Sequence, residues 1–309
     1  MPALRSGRRQ LLGKCLLAFL LGASLVNCDF FKPGGRSICS CVLPATPKVV
    51  VPAVTAPMAV VFLVDRTTAY AHVESDLPLL AIQSIEETIK RVTWRAGDTV
   101  YGAWMTPQSP ALGDDFLPVR TVTTVPQPRF APQPVAPVEP ASQVGCGTYC
   151  ESDVKNYSAA LDVWKQRAEA QVADWNKAQG LEVAGFVDAV TRTLTSIRSP
   201  RLDTTAPDVY GALYGASRVF DQHRVDNGPL ELVVYSGLIE KSGPVAPLSL
   251  GGVQVLVEAY HRHGADYQRA GEQQWRAVFT SAGATVKGIV PDNATSLSDV
   301  SNFLTEGRK

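Results

Sequence analysis

The chain lacks an excess of charge of either sign, because its 309 residues hold 29 Lys and Arg against 29 Asp and Glu. Nucleic-acid-binding domains usually carry a basic excess that displaces counterions from the phosphates. The balanced composition therefore argues against a nucleic-acid partner, and no block of like charge suits an anionic membrane surface. With 45% hydrophobic residues, the chain can bury one sizeable core.

The chain also lacks an apolar run long enough to cross a membrane. The longest stretch near the amino terminus, residues 15–26, follows a basic flank and is shorter than the ~20 residues of a spanning helix. Leu25-Val26-Asn27-Cys28 then resembles a bacterial lipoprotein processing box, although Asn27 stands where Gly, Ala or Ser is usual. We expect a signal peptide, lipidation at Cys28, and an exported, membrane-anchored lipoprotein of the cell envelope. An uncleaved anchor, ordinary secretion and a buried helix are the alternatives.

Apart from Cys28, and from Cys15 within the expected signal peptide, four cysteines lie in Pro- and Gly-rich surroundings outside the predicted core. In an oxidising compartment they predict two disulfides of open connectivity. A four-thiolate zinc site and free thiols are the alternatives, and the C-x-C and C-x-x-x-C spacings are less usual for zinc than C-x-x-C. The disulfide candidates are Cys39, Cys41, Cys146 and Cys150.

Apolar runs and helical periodicity alternate along most of the chain. Alternation of this kind predicts a mostly parallel sheet with helices on both faces. We expect strands at 58–64, 99–105, 117–125, 230–235, 253–259 and 285–290, and helices at 76–91, 206–220 and 268–282. A Pro-rich segment over 126–140 is expected to be extended and to lie on the surface.

Residues 151–197 are strongly helical, with an apolar stripe that includes Trp164 and Trp175. We expect a break near Gly180 or Gly185, which would separate an arm from a second helix packed on the sheet. The stripe is either a face that covers the sheet, or an arm or coiled coil that binds a partner.

These patterns divide the chain into four parts. A tether with scattered Pro, Gly and Ser joins the signal peptide to the folded domain. The predicted boundaries are 1–28 for the signal peptide, 29–57 for the tether, 58–290 for the α/β domain with an insertion at 105–197, and 291–309 for a tail with a short helix.

Two of the strands carry fragments of a known motif. The strand that ends in Asp65-Arg66-Thr67, ahead of an amphipathic helix, resembles the first strand of a von Willebrand factor type A domain. LELVVYSGLIE at 230–240 is similar to that family's fourth strand, and the strand and helix that follow are laid out like its fifth strand and next helix. The resemblance implies a doubly wound, mostly parallel α/β sheet, here with a long helical insertion and a Pro-rich loop.

The resemblance also implies a metal site. The family holds Mg²⁺ or Mn²⁺ with an Asp-x-Ser-x-Ser loop, a Thr from a second loop and an Asp after the fourth strand. Here Asp65 matches the Asp, Thr67 the first Ser, and Thr204 or Thr205 the loop Thr. Ala69 replaces the second Ser, and the family's Asp is missing from the turn Ser236-Gly237-Leu238.

Asp65 is the strongest candidate for a functional residue, because open α/β sheets bind ligands at the carboxyl ends of their strands. A metal ligand, a turn cap that orders the loop and a metal-free polar contact are the three roles considered for it. The candidate ligand-binding residues are Asp65, Thr67, Thr205 and Ser236, and the metal candidates are Asp65, Thr67 and Thr205.

Two further constellations are weaker. His261 and His263 could ligate a metal with Glu240 or Asp266, or could simply be solvated. Ser236 with His263 and Asp65 suggests a hydrolase, but a nucleophile elbow requires Gly-x-Ser-x-Gly and the first Gly is missing.

The sequence thus favours a membrane-tethered, exported binding module that does no covalent chemistry. It would contact another envelope or extracellular protein at its strand ends, with no cofactor or with a weakly bound Mg²⁺ or Mn²⁺. A structural envelope lipoprotein that assembles through its helical arm is one alternative, and a Ser-dependent hydrolase is another.

Overall fold

The fold is seen in a computed structural model that describes residues 43–67, 77–109, 115–137, 148–197, 202–239, 247–260, 265–291 and 297–308. The predicted signal peptide and lipidation site Cys28, and the disulfide candidates Cys39, Cys41 and Cys146, lie outside these ranges, as does the side chain of Cys150. Among the helices in these ranges, none combines the length and hydropathy that a membrane span needs.

The described ranges contain six strands and five α-helices, in the alternation that the apolar pattern predicts. The strands are β1 Ala59–Asp65, β2 Thr99–Met105, β3 Asp115–Thr121, β4 Leu230–Tyr235, β5 Val253–Tyr260 and β6 Thr285–Pro291. The helices are α1 Leu77–Arg91, α2 Thr148–Thr195, α3 Val209–His223, α4 Ala265–Ser281 and α5 Leu297–Glu306.

All six strands form one sheet in the order β3-β2-β1-β4-β5-β6. Every neighbouring pair is parallel except β2 and β3, so the largely exposed β3 is an antiparallel edge strand. The unbroken apolar run of β1 is buried along its whole length, as a central strand covered on both faces requires. The predicted doubly wound, mostly parallel α/β fold is confirmed.

Two hydrophobic cores cover the two faces of the sheet. On one face, Val60 and Phe62 of β1 meet α1, the carboxyl-terminal end of α2, and α5. On the other face, Val61 and Leu63 meet α3 and α4. Side chains alternate strictly along β1 and so contribute to both cores. Asp65 is the last residue of this central strand.

The long insertion contains one continuous helix, and the expected break near Gly180 or Gly185 is wrong. Helix α2 runs for 48 residues, a length of about 72 Å. A glycine in a helix interior costs only about 1 kcal/mol relative to alanine, too little to end a helix that is held along both halves.

The amino-terminal and central parts of helix α2 are held by residues 122–137, which contain most of the Pro-rich segment and are here called the strap. The indole Nε1 groups of Trp164 and Trp175 donate to the carbonyl oxygens of Ala131 and Val125, at 2.8 and 2.9 Å. Gln179 exchanges two hydrogen bonds with the strap backbone. The part of α2 after the glycines packs on the sheet through Phe186, Val190 and Leu194, as predicted. The contacts of Trp164 and Trp175 with the strap were not predicted from the sequence.

Candidate functional site

The carboxyl ends of β1 and β4 are adjacent, and this places two of the candidate residues side by side. Val64 pairs in register with Tyr235, so Asp65 and Ser236 leave the sheet at the same edge. The Ser236 hydroxyl donates a 2.8 Å hydrogen bond to Asp65 Oδ2. Parallel strands thus join two residues that are 171 positions apart in the chain.

Asp65 accepts three hydrogen bonds, which account for both of its oxygens. The backbone N–H and the hydroxyl of Thr67 both donate to Oδ1 at 2.8 Å. Ser236 Oγ in turn accepts a hydrogen bond from the backbone of Leu238 at 2.9 Å. Asp65, Thr67 and Ser236 are 1%, 7% and 0% exposed, so the three side chains form a buried cluster, here called the carboxylate lock.

Burial raises the pKa of the Asp65 carboxyl above its ordinary value, because the charged form loses hydration. The hydrogen bonds from Thr67 and Ser236 lower the pKa and partly offset this effect, whereas the nearby charge of Asp203 raises it further. The donors stabilise the carboxylate inside the protein, which fits a structural role that fixes the ends of two strands.

The loop before α3 is pinned to the carboxylate lock by an ion pair that the sequence did not reveal. Arg66 donates to the Asp203 carboxylate through Nε and Nη2 at 3.2 and 3.1 Å. The backbone N–H of Asp203 donates to the carbonyl of Arg66 at 2.9 Å. A separation of 137 positions gives no local signal for this pairing.

Thr205 lies two residues beyond Asp203 and is exposed, as is Thr204. The structure thus brings Asp65, Thr67 and Ser236 into direct contact and leaves Thr205 on the surface close to them. Ala69, His261 and His263 lie outside the described residues.

The same loop is also joined to the end of β2. The backbone N–H of Asp208 donates to the carbonyl of Thr106, and the Asp208 carboxylate caps α3 by accepting from the N–H of Gly211. Gly211 lies against Ser109, where a Cβ would fall 1.9 Å from the carbonyl oxygen. Three strand ends and the start of α3 therefore form one connected surface, here called the rim.

The turn after β4 stores backbone strain. Leu238 has a φ of 54°, a left-handed conformation that is unfavourable for a side chain with a Cβ. The carbonyl of Leu238 accepts a 3.0 Å hydrogen bond from the indole of Trp275, and its side chain is buried. Backbone conformations of this kind persist only where the surrounding structure enforces them, and they cluster at functional sites.

The residues of the rim do not fit a tightly bound divalent cation. A Mg²⁺ site requires several oxygen ligands that converge on an open position, whereas both hydroxyls of the carboxylate lock point at Asp65 and all three side chains are buried. Thr205 lies outside the lock, and the described residues contain no cluster of three or more His, Cys, Asp or Glu side chains that could hold a metal ion.

The Ser236 hydroxyl is engaged on both sides, as a donor to Asp65 and as an acceptor from Leu238. It is fully buried. A serine nucleophile must instead present its Oγ to the substrate on an exposed turn. In this geometry the Ser236 hydroxyl holds the carboxylate lock together and is not presented as a serine nucleophile would be.

No family model and no curated protein matches the chain. Among solved structures, the chain is similar to a protein described as von Willebrand factor type A from Catenulispora acidiphila, at 12% identity and a TM-score of 0.43. The match covers 82% of this chain and 43% of that chain, so this chain spans less than half of the protein it matches. This likeness concerns the fold alone.

Proposed function

We propose that the chain is an exported, membrane-tethered binding module that recognises another envelope or extracellular protein at the rim and does no covalent chemistry. The buried carboxylate lock would shape the rim, and exposed residues around Thr204 and Thr205 would contact the partner. The single observation that carries the proposal is the three-donor arrangement around Asp65, which fixes surface loops without itself touching solvent.

A prearranged polar surface suits protein recognition because little conformational entropy is lost when the partner binds. The rim is cross-linked by the Arg66–Asp203 ion pair and by the hydrogen bond between Asp208 and Thr106. In this proposal recognition does not depend on a metal, since the lock satisfies the Asp65 carboxylate with protein donors alone.

The position of the tether supports the same surface. Residues 43–57 lead into β1 where the parallel strands begin, here called the amino edge of the sheet. The rim lies at the opposite side, where these strands end. Seven residues of β1 separate the two edges by about 23 Å. A lipid at Cys28 would thus hold the amino edge toward the membrane and leave the rim facing outward.

Site-specific photo-crosslinking in cells that produce the full chain tests the proposal. A photoreactive amino acid at Thr205 is expected to give one discrete conjugate with a second protein. The matched control is Val225, which is 82% exposed at the amino edge, and it is expected to give none. Equal patterns from both positions, or no conjugate from Thr205, would contradict the proposal.

Assembly with a partner through helix α2 and the strap is the second candidate function, and a groove between these two elements favours it. The strap and α2 enclose an open groove of about 530 Å³ between Phe130–Pro134 and the exposed helix face at Val163. Arg167 lines this groove and makes no ion pair within the described ranges. The chemistry fits an extended apolar segment of a partner protein that carries one acidic side chain.

One pair of variants distinguishes recognition at the rim from assembly through the groove. Val163→Arg is expected to abolish a complex that forms through the groove and to leave Thr205 crosslinking intact. Thr205→Lys is expected to abolish a complex that forms through the rim and to leave a complex that forms through the groove intact. Loss of the same complex in both variants would show that the two surfaces do not act independently.

A further inference from the structure

The carboxyl-terminal turn closes over a buried carboxyl group at the amino edge of the sheet. Glu231, the second residue of β4, is fully buried and is paired in register with Val60 of β1 and Gln254 of β5. Gly307, just after α5, lies directly on it, since a Cβ at Gly307 would fall 1.9 Å from Glu231 Oε1. Only a residue without a side chain closes the turn here without displacing the carboxyl group.

The next residue, Arg308, fastens this turn to the loop between α1 and β2. Its guanidinium donates to the carbonyl of Thr93 at 2.7 Å and to the carboxylate of Asp98. Asp98 also accepts from the backbone N–H groups of Met58 and Arg95, at 2.8 and 2.6 Å. The charge of Arg308 is therefore committed to Asp98.

Glu231 is left without a hydrogen bond beneath the turn. Within the described part of the chain, neither of its oxygens has a hydrogen-bond partner, and the same is true of Arg308 Nε. The charged groups that face Glu231 are Lys287 of β6 and Arg308, while Val60 and Gln254 are neutral. Burial outweighs the attraction of both cations and raises the pKa of Glu231 from 4.5 to about 8.

We propose that α5 and the Gly307-Arg308 turn form a pH-dependent latch, which is docked while Glu231 carries its proton and loosens when Glu231 ionises. An ionised carboxylate without hydrogen bonds is costly inside a protein. The turn at Gly307 lies directly against Glu231 Oε1, so lifting this turn would expose the carboxylate to water. Lifting would draw Phe303 and Leu304 of α5 away from the core that they help to cover.

The direction of the pH dependence follows from the pKa of Glu231 in the open and in the closed latch. With the latch open, Glu231 meets water and titrates near its ordinary value of 4.5, whereas in the closed latch it titrates near 8. Between these limits the open form releases a proton that the closed form keeps, so rising pH favours opening. Below pH 4.5 and well above pH 8 the dependence levels off.

Hydrogen exchange on the full chain tests the latch. Protection factors, which remove the intrinsic pH dependence of exchange, are compared at pH 6 and pH 8.5 for the amides of α5 and of α3. We expect the protection of α5 to fall by about tenfold or more, from the linkage of one proton, while α3 stays unchanged. Equal protection of α5 at both pH values would overturn the proposal.

Glu231→Gln keeps the size of the side chain and cannot ionise, so α5 is expected to lose its pH dependence. Glu258→Gln, a buried glutamate of β5 paired in register with Tyr235 at the other end of β4, is the matched control and should retain it. A tenfold fall that persists in Glu231→Gln would sink the latch.

Gly307→Ala is a second variant that tests the same contact if Glu231→Gln fails to fold. Its methyl group collides with Glu231 Oε1, so α5 protection should drop at both pH values. Unchanged protection in Gly307→Ala would show that the turn does not bear on Glu231, and the proposal would be wrong.

Discussion

The hydroxyl of Ser236 donates a 2.8 Å hydrogen bond to the carboxylate of Asp65 across the ends of two neighbouring parallel strands. Both residues are fully buried, and Thr67 supplies the other two donors. Buried polar groups of this kind are costly to separate, because each partner that is left behind loses its hydrogen bond. The pair therefore sets the shape of the rim more than it offers a contact to a ligand.

A double-mutant cycle measures this relationship. Ser236→Ala is expected to lower the free energy of unfolding by about 1–3 kcal/mol, and Asp65→Ala by a larger amount because it strands three buried donors. The double variant should cost less than the sum of the two, with a coupling of about 1 kcal/mol in urea denaturation. Ser281→Ala, at an exposed helix position, is the control and should add to Asp65→Ala without coupling. Strict additivity of Ser236→Ala and Asp65→Ala would refute the carboxylate lock.

Divalent cations should leave the thermal stability of the protein unchanged. The Asp65 carboxylate is satisfied by protein donors, so Mg²⁺, Mn²⁺ or Ca²⁺ would first have to break these hydrogen bonds. Differential scanning calorimetry with each cation at millimolar concentration, against EDTA, checks the expectation. A rise in Tm that saturates with cation concentration and disappears in Asp65→Ala would reveal a metal site at the rim.

The strap should loosen when a single indole N–H is removed. Trp175→Phe deletes the donor to the Val125 carbonyl and is expected to cost about 1 kcal/mol, so limited proteolysis between residues 126 and 137 should accelerate. The sheet does not depend on this hydrogen bond, and near-ultraviolet circular dichroism of its buried aromatics should keep its shape apart from the lost indole signal. Proteolysis at the wild-type rate would mean that the strap is held by its other contacts.

The two glycines of α2 should be replaceable by alanine with a gain in stability. A Cβ at Gly180 or Gly185 meets no atom within 4 Å, so each substitution is expected to add about 0.5–1 kcal/mol to the stability of the helix. The measurement is hydrogen exchange along α2. Gly211→Ala is the contrasting control, because its Cβ would collide with the carbonyl of Ser109, and it should destabilise the protein strongly. A loss of protection in Gly180→Ala would indicate that α2 needs its glycines.

Local patterns predicted the sheet well, because each central strand is a short apolar run that only a doubly covered position accommodates. The strand-end argument placed Asp65 and Ser236 at one edge, and the structure has them in contact. The break expected in α2 failed because a glycine signal is weak beside the tertiary contacts of a long helix. Arg66 with Asp203, and Glu231 beneath Gly307, could not be predicted, since partners this far apart in the chain leave no local signal.

The most direct test of the central claim is photo-crosslinking from Thr205 in membranes of producing cells, with and without EDTA. The account predicts one conjugate of constant yield under both conditions, and none from Val225 at the amino edge. A conjugate that vanishes on chelation would contradict metal-independent recognition at the rim, and the absence of any conjugate from Thr205 would contradict recognition there altogether.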